Sequence, residues 1–224
     1  MLTLLHTLGS PFARKIRIAL AEKGLEYEKD VASASKRPLD IFSALNPNLT
    51  VPVLIDGEMT IFESNLILEY LVRTYPGNAP DSPKPPLAAT LTRPDHHWED
   101  SKTLAVLEAM ANTMVNMRFY KSSGVDVEQV AYGRRQQRRF NSCLDWLEQR
   151  ATPGGFIPGL FSFQDINLIC PLGYLDARGE YLKGILEWRG RPNIEAIVAR
   201  YQDRPSVKST LPGPASGGAY AAVE

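Results

Sequence analysis

Proline residues divide this chain into two parts that follow different patterns. Five of them fall between Pro76 and Thr92, together with glycine, asparagine, aspartate and serine. This composition sustains neither a helix nor a central strand. Strand signals occur only before the segment, and only helical patterns follow it. The sequence therefore predicts two domains, over residues 1–76 and 93–211, with a linker over 77–92 and a flexible tail over 212–224.

The first part has the pattern of a small α/β domain. An apolar strand from Leu2 to Thr7 precedes a helix that begins after Ser10 and ends at Gly24. The later elements are a β-leaning segment, a short helix, a hairpin and a final helix, over residues 25–31, 38–45, 51–62 and 63–75. A strand, a helix and a second strand form a parallel pair with a right-handed crossover, and the hairpin adds antiparallel strands.

The second part is predicted to be all helical, with long helices over residues 93–121, 126–150, 162–178 and 193–201. Ser162 and Asp165 have the spacing of a capping box, and Phe161 with Ile166 completes a hydrophobic staple. We therefore expect Asp165 to be a buried, hydrogen-bonded carboxylate with a structural role.

Charge and composition favour a small-molecule partner in the cytoplasm. The 25 lysine and arginine residues equal the 25 aspartate and glutamate residues, so no net charge attracts nucleic acid or an anionic membrane. No apolar run approaches the roughly 20 residues of a membrane helix, and the N-terminus lacks the basic start of a signal peptide. Cys143 and Cys170 are predicted to be buried thiols, and His6, His96 and His97 lack metal-ligand spacing.

Three local features of the first part each have a structural and a functional interpretation. Ser10 before a proline is good helix-start chemistry, and Val51-Pro52 is typical of an edge strand. Glu63 before Ser64 places an acidic residue at a helix N-terminus, where the helix dipole favours it. Taken singly, each of these features favours the structural interpretation.

The segment from Leu2 to Tyr75 resembles the N-terminal domain of glutathione S-transferases. The runs that carry the likeness are SPFARKIRIALAEKGLEYE, NPNLTVPVL and FESNLILEYL. Downstream, SFQDINLICPLGYLDAR and RPNIEAIVARYQDRPS resemble the capping-box helix and closing helix of the same family, whose bacterial members have the most similar start. The resemblance implies a thioredoxin-like α/β N-terminal domain followed by an all-α C-terminal domain, which is the glutathione S-transferase fold.

The resemblance also implies how glutathione is held, as a cosubstrate and without a metal. A cis proline after Val51 exposes the backbone that pairs with the cysteinyl moiety. Glu63 receives the α-ammonium, and Ser64 with the helix N-terminus receives the γ-glutamyl carboxylate. The other glutathione-binding residues implied are Phe12 and Pro52, with Thr50, Lys36 and Arg37 as candidates for the glycyl end.

Ser10 matches the position of the activating serine in zeta- and theta-like transferases and of the cysteine in omega-like ones. Its hydroxyl is expected to stabilise a glutathione thiolate. A serine cannot form a mixed disulfide, so thioether formation is favoured over thiol exchange. The family commonly has glycine and then lysine or glutamine before the Val-Pro pair, where this chain has Leu49 and Thr50. The Ser-Ser-Cys run of the zeta class is absent as well, so maleylacetoacetate isomerisation is not supported.

The helical part offers candidates for a hydrophobic substrate pocket. Leu107, Met110, Met114 and Met117 share one helix face, and the interpretation is open between core and cleft, with Met110, Met114 and Tyr120 as cleft candidates. The basic run over residues 134–139 is interpreted as a solvated helix face.

The predicted function is a glutathione transferase acting on a small electrophilic substrate, as in detoxification. Two alternatives stay open: a glutathione-dependent peroxidase or dehalogenase with the same thiol site, and a noncatalytic interaction module of the same fold. The family implies a homodimer in which the first domain of one chain packs against the fourth and fifth helices of the other.

Overall fold

A computed structural model describes residues 1–31 and 39–212. The N-terminal elements are β1 (Leu2–Leu5), α1 (Pro11–Lys23), β2 (Tyr27–Asp30), α2 (Leu39–Leu45), β3 (Val53–Asp56), β4 (Met59–Phe62) and α3 (Ser64–Thr74). The later elements are α4 (His97–Ser122), α5 (Ala131–Glu148), α6 (Phe163–Arg178), α7 (Pro192–Tyr201) and α8 (Pro205–Lys208), with 3-10 turns at Pro94–His96 and Gly179–Leu182. The predicted fold class is confirmed: a mixed sheet with helices is followed by a helical region.

The four strands form one sheet in the order β2-β1-β3-β4. The β1–β2 pair is parallel, whereas β1–β3 and β3–β4 are antiparallel, as the sequence predicts. Leu5 of β1 pairs with Val53 of β3, and Val53 pairs with Phe62 of β4. The residues after β1, before β3 and after β4 therefore meet at one edge of the sheet.

Helix α1 has the two ends that the sequence predicts. The Ser10 side chain accepts a hydrogen bond from the Ala13 N–H, and Gly24 closes the helix at φ 65°. The helix packs against α3 of the first domain and against α6 and α8 of the helical region. Because α1 has neighbours on both sides, charged side chains as well as Ile16 and Leu20 are buried along it.

The second helix of the helical region begins later than predicted, at Ala131 rather than Asp126. The Asp126 carboxylate accepts the Glu128 N–H, and its carbonyl accepts the Gln129 N–H. These local bonds hold a turn before the helix. Once α5 starts, Gly133 lies so close to the Val127 carbonyl that a Cβ would be 1.8 Å from its oxygen.

The capping box of α6 is present, and it is buried. Ser162 Oγ accepts the Asp165 N–H at 3.1 Å, and the Asp165 carboxylate accepts hydrogen bonds from the Ser162 N–H, the Ser162 hydroxyl and the Phe156 N–H. Burial raises the pKa of Asp165 to about 6, because the loss of hydration outweighs these donated bonds. Phe161 and Ile166, the predicted staple, are both buried.

Burial settles several other predictions. Cys170 is buried as predicted, whereas Cys143 is only half-buried, and loss of hydration raises the pKa of both thiols. The arginines of the 134–139 run are exposed, as predicted. Within residues 1–31 and 39–212, no helix is long and apolar enough to cross a membrane.

We predict that Ser162→Ala lowers the free energy of unfolding by about 1–2 kcal/mol, because it removes a buried N-cap and a donor to Asp165. Urea denaturation at pH 7 measures this. Ser43→Ala, which alters an exposed serine on α2, is the matched control and should change stability by less than about 0.5 kcal/mol. Equal effects of the two substitutions would contradict the structural role of the capping box.

Candidate functional site

One pocket of about 130 Å³ lies at the sheet edge where the chain leaves β1, enters β3 and leaves β4. Six residues that the sequence singles out line it: Phe12, Thr50, Val51, Pro52, Glu63 and Ser64. Asn48, and Glu108 with Asn112 from α4, complete the wall. The pocket therefore lies between the sheet domain and the helical region.

The loop before β3 presents the backbone of Val51 at this pocket. The Val51–Pro52 peptide bond is cis, as the resemblance implies. Asn46 is fully buried, and its side-chain amide donates to the Thr50 carbonyl at 2.8 Å and to the Thr50 hydroxyl at 3.3 Å. Asn46 Oδ1 also accepts the Asn48 N–H at 2.9 Å. One buried side chain thus fixes the conformation of the loop on the N-terminal side of Val51.

The N-terminus of α3 forms another wall of the pocket. Glu63, its N-cap residue, has φ 69° and makes no side-chain capping bond. Its carboxylate instead accepts a hydrogen bond from Asn48 Nδ2 at 2.6 Å. A positive φ at a non-glycine residue costs about 1–3 kcal/mol and is concentrated at functional sites. Because the Glu63 side chain makes no capping bond, the first N–H groups of α3 are not occupied by the N-cap residue and suit an anion.

Ser10 begins α1 two residues before Phe12 and is half-buried. Its oxygen accepts the Ala13 N–H at 3.2 Å, so the hydroxyl proton remains available for donation. The partial positive charge at the start of α1 acts at the same place. This arrangement can stabilise a negatively charged sulfur or oxygen.

Next to Ser64 lies an ion pair between Lys15 and Glu108, which the sequence did not indicate. Lys15 Nζ lies 2.7 Å from the Glu108 carboxylate and 3.2 Å from Ser64 Oγ. The side chain of Lys15 is 0% exposed, and that of Glu108 is 26% exposed. A lysine among Ile16, Ile18 and Ala19 is a detectable signal, but its partners are 49 and 93 residues away in sequence.

Other predicted site residues lie elsewhere. Met110 and Met114 are fully buried in the core, which corrects the prediction that they face a substrate cleft, and Leu107 and Met117 share that core. Tyr120 is exposed and contacts Tyr132 edge to face. Lys36 and Arg37 lie outside the described residues. A larger, open depression of about 470 Å³ on α5 includes none of the predicted residues.

The histidines do not contribute to this pocket. His6 is fully buried, and burial followed by the charge of Arg17 lowers its pKa, so the ring is neutral at pH 7. Among residues 1–31 and 39–212, no group of three or more histidine, cysteine, aspartate or glutamate side chains is arranged to hold a metal ion.

Two domain models of one family match the chain. The model described as "Glutathione S-transferase, N-terminal domain" matches residues 4–79, and "Glutathione S-transferase, C-terminal domain" matches residues 129–200. The curated relatives include glutathione S-transferase 3 of Glycine max, 28% identical over 93% of this chain and 89% of that protein. A stringent starvation protein A homolog of Haemophilus influenzae is 36% identical over 34% of this chain and 35% of that protein.

Solved structures of similar fold cover nearly the whole chain. A glutathione S-transferase of Methylobacterium radiotolerans, in complex with glutathione sulfonate, has a TM-score of 0.76 and 25% identity over 97% of both chains. A glutathione S-transferase of Rhodospirillum rubrum has a TM-score of 0.70 and 27% identity, over 96% of this chain and 94% of that chain.

We predict that Asn46→Ala lowers the free energy of unfolding by about 1–3 kcal/mol, because it removes buried hydrogen bonds that hold the loop before Val51. Chemical denaturation measures the loss. Asn116→Ala, on an exposed position of α4, is the control and should change stability by less than about 0.5 kcal/mol. A neutral Asn46→Ala variant would show that the loop is held by other contacts.

Proposed function

The chain belongs to the glutathione S-transferase family, and we propose that it is a glutathione transferase that activates the glutathione thiol for attack on a small, hydrophobic electrophile. One observation carries the proposal: a single pocket gathers the loop at Val51-Pro52, the start of α3 at Glu63-Ser64 and Phe12 of α1. The relatives and solved structures named as glutathione S-transferases support the same assignment.

In the proposed complex, glutathione lies extended across the sheet edge. The Val51 N–H and C=O pair with the cysteinyl moiety as an added strand would. The γ-glutamyl carboxylate lies at Ser64 and the uncapped N-terminus of α3, where N–H donors and the helix dipole favour an anion. Glu63 receives the α-ammonium, and Asn48 orients its carboxylate.

Thr50, Lys36 and Arg37 are the candidates for binding the glycyl end of glutathione. Of these three, only Thr50 lies among the described residues. Its hydroxyl oxygen already accepts a bond from Asn46, so its proton can be donated to a carboxylate. A threonine donates one hydrogen bond without charge, whereas the lysine common in the family adds a full charge. We therefore expect Thr50 to hold the glycyl carboxylate more weakly than a lysine at the same position would.

Ser10 is the proposed activating residue. A hydrogen bond to a charged acceptor contributes about 1.5–3 kcal/mol, which lowers a thiol pKa of about 8.5 by one to two units. The helix N-terminus at Ser10 acts in the same direction. A thiolate stabilised in this way is abundant near neutral pH.

The chemistry is a nucleophilic transfer. The thiol proton leaves to solvent, and the sulfur lone pair forms a C–S bond to the electrophilic carbon. The leaving group departs with its bonding electrons, or, in an addition, those electrons move onto the acceptor. Detoxification of reactive small molecules is the role that we propose for this reaction.

A second candidate function, a noncatalytic interaction module, is favoured by one observation. Some relatives are named as stringent starvation protein A homologs and not as transferases, and they match at 34–37% identity over 29–42% of this chain. Glutathione binding with a lowered thiol pKa distinguishes the transferase from the interaction module, because an interaction module has no need to lower the pKa of a bound thiol.

We predict that Ser10→Ala retains glutathione binding within about threefold and lowers turnover at pH 6.5 by about 10-fold or more, because only the thiolate loses a donor. Calorimetry with glutathione measures binding, and thiolate absorbance against pH measures the thiol pKa. Ser43→Ala is the control for serine removal.

The expected result is a lowered thiol pKa in the parent protein and in Ser43→Ala, and a pKa nearer 8.5 in Ser10→Ala. A parent protein that binds no glutathione at millimolar concentration would contradict the transferase assignment and favour the interaction module. Turnover with peroxides, measured with the same proteins, separates conjugation from peroxidase activity.

We also propose that the protein is a cytoplasmic homodimer. Support comes from large apolar side chains exposed on β4, α3 and α4, namely Met59, Leu66 and Trp98, the last of which is 78% exposed. Sedimentation equilibrium should give twice the chain mass of 24.9 kDa. A mass equal to one chain at micromolar concentration would contradict the dimer.

A further inference from the structure

Arg118 is a half-buried cation near the C-terminal end of α4, and it lies beside two aromatic rings. Its guanidinium carbon is 5.4 Å from the centroid of the Phe119 ring. The same carbon is 5.6 Å from the ring centroid of Tyr181, which belongs to the 3-10 turn after α6. Aromatic rings attract a cation, but the N–H groups of the guanidinium still require hydrogen-bond acceptors.

The described part of the chain supplies no such acceptor to Arg118. Its Nε atom is buried and has no hydrogen-bond partner there, and none of the ion pairs found there includes it. The first acidic residues after α4, Asp126 and Glu128, both face Lys121 Nζ at 3.9 Å. Burial of an unpaired charge is costly, because lost hydration is not replaced. Arg118 is therefore suited to bind an anion from another molecule.

One face of α4 leads from the proposed glutathione pocket to this cation. Glu108 and Asn112 line the pocket. Phe119 follows Asn112 by seven residues, or about two helical turns, so it lies on the same face about 10 Å farther along the axis. Val115, three residues after Asn112, lies between them, and both Val115 and Phe119 are half-buried. The face that lines the pocket thus becomes apolar and reaches the ring beside Arg118.

We propose that Arg118 is a specificity-determining residue that binds a carboxylate of the electrophile. The substrate class is then an apolar electrophile with one carboxylate remote from its reacting carbon. The apolar body lies along α4 against Val115 and Phe119, and the carboxylate reaches Arg118. This inference rests on the proposed function, because the reacting carbon has to meet the sulfur of glutathione bound in the pocket.

The chemistry of the guanidinium favours a carboxylate as its ligand. Its planar N–H groups match the two oxygens of a carboxylate, so the pair can form two parallel hydrogen bonds. A partly dehydrated cation also attracts an anion more strongly than a fully hydrated one, because the effective dielectric constant is lower. The side chain of Tyr181 is exposed, so a ligand can approach the cation from solvent.

Paired electrophiles that differ in charge test this role. The carboxylates are 4-(bromomethyl)benzoate and the two-ring 4′-(bromomethyl)biphenyl-4-carboxylate, which place the charge at two distances from the reacting carbon. The corresponding carboxamides are neutral and similar in shape. In each reaction the thiol proton leaves to solvent, the sulfur lone pair forms the C–S bond, and bromide departs with the electrons of the C–Br bond.

The measurement is kcat/KM for each electrophile at saturating glutathione, after subtraction of the uncatalysed rate. The proteins compared are the parent, Arg118→Gln and Arg118→Lys. Arg139→Gln, at an exposed arginine of α5, is the matched control.

We expect the parent protein to prefer the carboxylate to its carboxamide about 10-fold in kcat/KM, for at least one of the two lengths. Arg118→Gln should lower kcat/KM for that carboxylate about 10-fold and for its carboxamide less than about threefold. Arg118→Lys should keep part of the preference, because it keeps the charge and loses the planar pair of donors. Arg139→Gln should behave as the parent does.

An unchanged preference for the carboxylate in Arg118→Gln, or an equal loss with both members of each pair, would overturn the proposal and leave Arg118 a structural residue. A parent protein with no preference for either carboxylate would overturn it as well, and that result holds even if neither Arg118 variant folds. A parent protein that conjugates none of the four compounds would instead overturn the proposed function, and this inference with it, so the two failures are distinguishable.

Discussion

The structure depends on the burial of α1 between the sheet domain and the helical region. Three charged residues of α1, Arg14, Lys15 and Glu22, are buried there, so each needs a partner. Arg14 donates to the backbone carbonyls of Ile169 and Val207, at 3.3 and 3.0 Å. Glu22 accepts two bonds of 2.6 Å from Arg204, itself buried, and another from Ser206. These polar contacts fix the orientation of α1 relative to the helical region, since each requires a particular geometry.

The candidate site follows from that orientation. Register in the sheet brings Val51-Pro52 beside Glu63, and α1 brings Phe12 to the same pocket. Ser10, the N-cap of α1, is two residues from Phe12 and is not a lining residue of the pocket. The two helix N-termini differ in a way that suits the ligand groups proposed for them. The hydroxyl oxygen of Ser10 caps α1 and leaves one proton to donate, whereas the N-cap residue of α3, Glu63, makes no side-chain capping bond. One end thus suits a single sulfur atom, and the other suits a carboxylate with several acceptor sites.

Local signals in the sequence predicted most of the fold. Ser10, Pro11 and Gly24 mark the ends of α1, and Ser162 with Asp165 marks the start of α6, because caps and turns depend on neighbouring residues. Contacts that join distant segments were not predictable in this way. Lys15 and Glu108 are 93 residues apart, and no local pattern specifies their pairing.

The same reason explains the errors in the helical region. Met110 and Met114 lie on one helix face together with Leu107 and Met117, and periodicity shows that such a face is covered without showing what covers it. The pocket instead receives Glu108 and Asn112 from α4. Polar residues on a helix are usually read as solvent-facing, so their place at an interdomain pocket becomes visible only in three dimensions.

Leu49 has a left-handed backbone conformation, although its side chain departs from the family pattern. The family commonly has glycine at this position, and Leu49 still adopts φ 54°, a conformation that costs a non-glycine residue about 1–2 kcal/mol. The Leu49 N–H donates to the Asn46 carbonyl at 3.0 Å, and the side chain of Asn46 holds Thr50. Asn46 therefore imposes the turn that glycine would allow. The strain at Leu49 and at Glu63 lies on the two segments that meet at the pocket, and backbone strain of this kind is concentrated at functional sites.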